Sequence, residues 1–288
     1  MEGGELERIL DSWKMNAIII NKPSIEVLSE GVNAPYYFIF IFQGEASFSI
    51  DFTEYKCSGR NLIFLTPYQV IKWKETTAKE ITALQFHGDF YCIEYHKKEV
   101  ACNGILFNNI YQQPFISVNK EVFEEINSIC KKMKNLIDLQ NHYDISIVKT
   151  YLQLILALSS KEKQQLQQSE TLDEHFSFEN ITNFQNILEE HYLQTREVGF
   201  YAEKFGLSIN TFSKKIKKHF GKSPSKLIQE RIVLEAKKLL HLTYKPIKEI
   251  AMELHFEDEF YFSRYFKKET GVSPKKFRED VGISIVAK

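Results

Sequence analysis

Residues Phe212 to Pro224 and Phe262 to Pro274 carry the same residue types at the same offsets, fifty positions apart. Each stretch opens on Phe-Ser and a long cation, passes through Lys-Lys, and closes on Gly-x-Ser-Pro. The cations are Lys214, Lys215, Lys217 and Lys218 in the first copy, and Arg264, Lys267 and Lys268 in the second. Ammonium and guanidinium groups at such spacing bind anions; they neither make nor break covalent bonds. A basic element used twice points to a target that is itself anionic and periodic, and duplex DNA is both.

Other chemistries find less support. No glycine-rich phosphate loop, no Gly-x-Ser-x-Gly elbow and no supported Cys/His nucleophile pair occurs, so no catalysis and no cofactor is expected. His87, Asp89, Cys92, Glu94 and His96 gather in one region that reads as a strand. Alternation would put His87 and Asp89 on one face and the other three on the opposite face, so one strand cannot converge them on a metal. The four cysteines, Cys57, Cys92, Cys102 and Cys130, are scattered, which fits neither a zinc site nor a disulfide framework and suits a reducing compartment.

The elements that must position the cations are helices. Phe212, Ile216 and Phe220 recur every four residues as one apolar stripe and leave the lysines on the other faces. Ser208 can cap the start of this helix, and Gly221 can end it in the left-handed conformation. Ser223-Pro224 then starts the next helix, and Gly271 and Ser273-Pro274 repeat that punctuation. Upstream, Val198, Tyr201, Ala202 and Phe205 correspond to Ile247, Ile250, Ala251 and Leu254 with a slip of one residue. A short helix, a turn at Gly206 and a basic helix make a helix-turn-helix. In the second copy the turn falls on His255, a residue type that tolerates positive φ at some cost. Pro224 to Leu240 reads as one connecting helix of about 25 Å, long enough to set the two basic helices in successive major-groove windows.

The remainder of the 288-residue chain differs in kind. Residues 1–180 hold 17 basic and 24 acidic side chains, against 20 and 14 in residues 181–288. A net charge of −1 therefore conceals an acidic half and a basic half with different partners. An excess of this size is also what an ordinary solvated surface shows, so the duplication carries the argument. Residues 17–95 read as short antiparallel strands forming a small barrel or sandwich. Phe38, Phe40 and Phe42 alternate before Gln43-Gly44, and Ala46, Phe48, Ile50 and Phe52 alternate after it, which predicts a hairpin. Phe38, Phe40, Phe48, Trp73 and Phe86 could line a small-molecule pocket, although filling a core is the commoner fate of strand aromatics. Helices are expected over Glu121–Leu136 and Ile145–Leu158, and either could pair with a second copy of the chain. The expected organisation is a sensor and dimerisation domain over 1–160, a Gln/Lys/Glu-rich linker over 161–180, and a helical domain over 181–288. The acidic N-terminus lacks an apolar signal region, and the longest apolar run, Tyr36 to Phe42, is too short to span a bilayer. A cytoplasmic protein with no membrane partner is expected.

The C-terminal residues resemble the AraC/XylS family of bacterial transcription regulators over about Phe184 to Arg278. The most specific part is Ile250-Ala251, Phe256, Tyr261-Phe262-Ser263-Arg264-Tyr265-Phe266-Lys267-Lys268, Gly271-Val272-Ser273-Pro274 and Phe277-Arg278. The N-terminal strands and two helices are similar, less specifically, to that family's cupin-like sensor domain. The resemblance implies an α+β protein: a small antiparallel β-barrel with two helices, then two helix-turn-helix motifs joined by a long helix. It implies double-stranded DNA and RNA polymerase as partners, a possible small-molecule effector, a homodimer, and more often activation than repression. It also implies base contacts from Asn210, Ser213 and Lys214 in the first motif and from Glu259, Phe260, Tyr261 and Arg264 in the second. Asn suits adenine, Lys and Arg suit guanine, and aromatic edges suit the thymine methyl. Lys217, Lys218, Lys222, Lys267 and Lys268 then read as phosphate contacts. The chain departs from the pattern at His255, at Phe260, and in the acidic run Glu257-Asp258-Glu259, which should leave the first motif the larger share of sequence reading. Two rivals are a metal-dependent cupin enzyme with an appended helical domain, and a module whose basic helices bind an acidic protein.

Overall fold

A computed structural model describes residues 18–51, 53–88, 90, 105–107, 110–137, 142–170 and 178–283. Among the described residues, eight strands form two antiparallel sheets. The first has the order β1 (Ile18–Asn21), β7 (Ile81–Phe86), β2 (Tyr37–Gln43), β5 (Arg60–Leu65), β8 (Phe115–Ser117). The second has β4 (Thr53–Cys57), β3 (Ala46–Ile50), β6 (Ile71–Thr76). A short helix, α1 (Ile25–Glu30), precedes β2.

Strand β2 lies at the centre of the larger sheet and is buried on both faces. Phe38, Phe40 and Phe42 pack toward the smaller sheet, against Phe48 and Trp73. Tyr37, Ile39 and Ile41 pack on the other side, in a core shared with two helices. These are α2 (Lys120–Ile137), which buries Ile126, Ile129, Cys130 and Met133, and α3 (His142–Glu170), which buries Val148, Leu152, Ile155 and Leu156. Phe38, Phe40, Phe48 and Trp73 fill the space between the sheets, while Phe86 stacks on Tyr37 in the helix-side core. The pocket-lining candidates are thus core residues.

The expected hairpin through Gln43-Gly44 does not form. Strand β2 pairs with β5 and β7, and β3 pairs with β4 and β6. Alternation reports which face of a strand is buried, not which strand lies beside it. Gly44, at φ +144°, carries the chain from one sheet to the other; a Cβ there would stand 2.8 Å from the backbone nitrogen of Ala78. Helix α3 also runs further than its apolar pattern. Residues 161–170, whose composition reads as linker, continue it, because Lys, Glu and Gln propagate a helix without needing a buried face. Lys163 is buried in this extension and donates to the Gln113 carbonyl at 3.4 Å.

From α4 (Phe178–His191) the described chain is helical: α5 (Val198–Lys204), α6 (Ile209–Phe220), α7 (Pro224–Leu242), α8 (Ile247–Glu253), α9 (Glu259–Thr270) and α10 (Pro274–Val281). Their core includes Phe184, Phe212, Leu227, Ile232, Phe262, Phe266 and Phe277, and Tyr68 and Ile110 from the β-rich half join it. Of the five residues weighed as a metal cluster, His87 follows β7 and bonds the Asp280 carbonyl at 2.8 Å. Asp89, Cys92, Glu94 and His96 lie outside the described residues, among which no group of His, Cys, Asp and Glu is placed to hold a metal.

Candidate nucleic-acid interface

The two duplicated stretches form two helix-turn-helix units with matching backbone geometry. In the first, α5 buries Tyr201 and Ala202. The turn is closed by Leu207 N–H donating to the Ala202 carbonyl at 3.0 Å, with Gly206 at φ +62°. In the second, Ile250 and Ala251 are buried, Phe256 N–H donates to the Ala251 carbonyl at 2.9 Å, and His255 adopts φ +56°. The small Ala202 and Ala251 side chains permit the close crossing of helices that each turn demands.

Both recognition helices are capped as their sequences direct. Ser208 accepts from Thr211 N–H at 3.3 Å at the start of α6, and Asp258 accepts from Tyr261 N–H at 2.7 Å at the start of α9. Gly221 and Gly271 end the helices in the left-handed conformation. Ser223 and Ser273 then cap α7 and α10, each followed by Pro in the first turn. The one-residue slip has a location: Glu257 is the extra residue between turn and cap in the second unit. Because Asp258 takes the cap, this acidic residue sits at the positive end of the α9 dipole.

Burial sorts the candidate contacts. Phe212 and Ile216 of α6, and Phe262 and Phe266 of α9, point into the core. Asn210 and Lys214 are exposed and Ser213 is half-buried. In the second unit Phe260 is 74% exposed, Tyr261 and Arg264 are exposed, and Glu259 is half-buried. Lys217, Lys218, Lys267 and Lys268 all reach solvent.

Lys222 does not. It is 8% exposed, bonds Glu230 at 2.7 Å, and donates to the Ile110 carbonyl at 3.5 Å. Burial opposes its charge, but Glu230 and the Tyr55 hydroxyl more than offset this and hold its pKa above the ordinary lysine value. Assignment of Lys222 to a phosphate is therefore corrected. It follows the cap glycine and turns back toward the β-rich half instead of outward with the helix cations. Its counterpart in the second copy, Val272, was the available signal, since a position occupied by Lys and Val in the two copies is not a conserved feature of their basic face.

Three arginines hold the units together. The Arg196 guanidinium lies 3.8 Å from the Phe256 ring centroid and donates to the Leu254 carbonyl at 3.0 Å, tying the loop before α5 to the turn of the second unit. Arg231 pairs with Glu189 at 2.8 Å and Glu235 at 3.0 Å, and covers the Tyr192 ring at 3.9 Å. Arg278 donates to the Leu240 carbonyl near the end of α7 and to the Lys245 carbonyl in the loop that follows it. Only Arg278 stood within the family signature; sequence spacing gives no sign of the cation–ring contact of Arg196.

Residues 201–280 match a family model described as a helix-turn-helix domain. Over 244 residues the chain is 24% identical to the virulence regulon transcriptional activator VirF of Yersinia enterocolitica, covering 83% of this chain and 87% of that one. A stretch of 100 residues is 30% identical to the HTH-type transcriptional regulator ExsA of Pseudomonas aeruginosa, 35% of this chain and 36% of the relative. Among solved structures, the C-terminal domain of the two-component response regulator yesN from Fusobacterium nucleatum aligns with 34% of this chain and 95% of its own at 35% identity, with a TM-score of 0.32. With two exposed recognition helices on one scaffold, the protein is a DNA-binding transcription regulator. Residues 201–280 form a helix-turn-helix domain of the AraC type, and the chain is similar to regulators of the AraC/XylS family.

Proposed function

We propose that the protein activates transcription by reading duplex DNA with both recognition helices and engaging RNA polymerase, as a cytoplasmic homodimer. The observation that carries this reading is the pair of α6 and α9, capped alike and each presenting an exposed polar face. Asn210, Ser213 and Lys214, with Glu259, Phe260, Tyr261 and Arg264, are the base-edge contacts on this reading, and Lys217, Lys218, Lys267 and Lys268 the phosphate contacts. Helix α7, 19 residues and about 28 Å long, separates the two units by a distance suited to successive major-groove windows.

Residues 1–160 form the sensing and dimerising domain on this reading, with a linker over 161–180 whose first ten residues continue α3, and a DNA-binding domain over 181–288. An exposed apolar stripe on α3, Tyr143, Ile147 and Leu154, supports pairing with a second copy. The protein works by binding, under control of an effector or partner at the β-rich half, and performs no reaction of its own. Among the described residues no helix is long and apolar enough to cross a membrane.

Selection of binding sites from random duplex DNA, with and without cell metabolites, tests the proposal. A preferred sequence whose affinity falls steeply with salt is expected. Binding without sequence preference, together with tighter capture of an acidic protein, would overturn it.

A further inference from the structure

The β-rich half grips both helix-turn-helix units, and at the same end of each. At the first unit, the Tyr111 ring lies 6.0 Å from that of Phe220, the last residue of α6, and the Tyr111 hydroxyl donates to Glu189 at 2.8 Å. Lys222, just past the α6 cap, donates to the Ile110 carbonyl. At the second unit, a Cβ on the α9 cap Gly271 would stand 3.2 Å from the Asn33 side-chain nitrogen. The Tyr68 hydroxyl donates to the Asp280 carboxylate of α10, and the Tyr68 ring lies 5.6 Å from that of Phe277. Between these, Lys237 of α7 donates to the Pro67 carbonyl at 2.8 Å.

These contacts lie away from the surface that would meet DNA. Asn210 and Phe260 stand at the N-terminal ends of 12-residue helices, so each cap is about 18 Å from its reading end. A contact at the cap cannot touch a base, but it fixes the direction in which the far end points. Apart from these contacts, the units are joined by α7 and, near the second turn, by Arg196, so the grip at the two caps is a further restraint on how one recognition helix is set against the other. Moving one half-site by a base pair turns it by about 35° around the duplex, so only a flexible pair of units tolerates such a change.

We propose that Tyr68 and Tyr111 are positioning residues. Through them the β-rich half acts as a bracket that presets the relative orientation of the two recognition helices and makes the protein selective for the spacing between the two half-sites. The gain is one of preorganisation, since orientation is fixed before binding and not at its expense. The proposal rests on the DNA-binding reading above.

The test uses the full chain and the duplex selected from random DNA, remade with the half-sites one base pair closer and one base pair further apart. Dissociation constants are measured by fluorescence anisotropy for the wild type and for Tyr68→Phe, Tyr111→Phe and Asp280→Asn. The wild type should lose about tenfold in affinity at the altered spacings, and Tyr68→Phe and Tyr111→Phe only about threefold. Base preferences within each half-site should not change. Asp280→Asn keeps an acceptor for the Tyr68 hydroxyl and should retain most of the spacing penalty. The two tyrosine variants act at opposite units, so failure of one to fold leaves the other to decide. A wild type indifferent to spacing, or tyrosine variants with an undiminished penalty, would overturn the bracket and leave the DNA-binding reading standing. Loss of base preference in step with loss of spacing preference would also overturn it, since that result means local damage to a recognition helix. A wild type that selects no sequence would instead sink the DNA-binding reading itself.

Discussion

Replacing His255 with glycine should stabilise the helical half, and replacing Gly206 with alanine should destabilise it. Both residues hold the turn of a helix-turn-helix unit at nearly the same angle, φ +56° and +62°. An L-residue in that region carries a cost of roughly 1–2 kcal/mol that glycine escapes. Glycine gives back about 0.5–1 kcal/mol through the greater freedom of the unfolded chain. The His255 side chain is exposed, and the bonds at this position use its backbone, so no packing is lost in the exchange. The net gain is about 0.5–1 kcal/mol. At Gly206 a Cβ would meet nothing within 4 Å, so the loss is set by φ alone and amounts to about 1 kcal/mol. Urea unfolding followed by far-ultraviolet circular dichroism reads the helical half directly. At a slope of about 2 kcal/mol/M the midpoint should rise by roughly 0.3–0.5 M for His255→Gly and fall by roughly 0.5 M for Gly206→Ala. A lower midpoint for His255→Gly would mean that the imidazole makes a contact worth more than the strain, and the turn argument would fail. So would an unchanged midpoint for Gly206→Ala.

Three further outcomes are expected. Lys214→Ala should lose more base discrimination on the selected duplex than Arg264→Ala, and an equal or larger loss for Arg264→Ala refutes the unequal division between the units. Lys217→Ala should reduce the slope of log affinity against log salt by about 0.9; Lys222→Met should leave that slope alone and instead cost roughly 3 kcal/mol of stability by stranding Glu230, so a reduced slope for Lys222→Met would restore it as a phosphate contact. Burial lowers the Lys163 pKa to about 8, so between pH 8 and its ordinary value near 10.5 the unfolded chain binds the extra proton. Across that window the wild type should gain up to about 3 kcal/mol relative to Lys163→Met, whatever the buried thiols and phenols contribute to both; a constant difference between the two profiles refutes the reading.

Local signals were legible wherever the physics is local. Ser208, Gly221, Ser223, Gly271 and Ser273 sit where their cap chemistry requires, because a cap is decided within four residues of chain. The same holds for the turn at His255 and for the buried stripe of Phe212 and Ile216. What could not be read is what depends on a distant partner. Phe42 and Ala46 look like the two sides of a hairpin, yet the partner of β2 is β5, and no period-2 pattern distinguishes these pairings. Residues 161–170 look like linker because a solvated helix and a solvated loop draw on overlapping compositions. Lys222 looks like its neighbours Lys217 and Lys218, and only the approach of Ile110 and Tyr55 from the other half buries it.

That last case bears on the asymmetry of the two units. Glu257 lengthens the second turn by one residue, and Asp258 caps α9 with a carboxylate where Ser208 caps α6 with a hydroxyl. The carboxylate holds its helix more firmly through the dipole, and it also repels the phosphates on which the N-terminus of a recognition helix must settle. Phe260, exposed beside it, offers an apolar contact and no hydrogen bond. The second unit thus has the more strongly anchored start and the weaker electrostatic attraction, with its lysines, Lys267 and Lys268, confined to the last turn. A unit of this kind adds affinity only if something else delivers it to the groove at the right angle. The contacts of Tyr68 with Asp280 and Phe277 are made on that unit, which is the one with more to gain from being held in place.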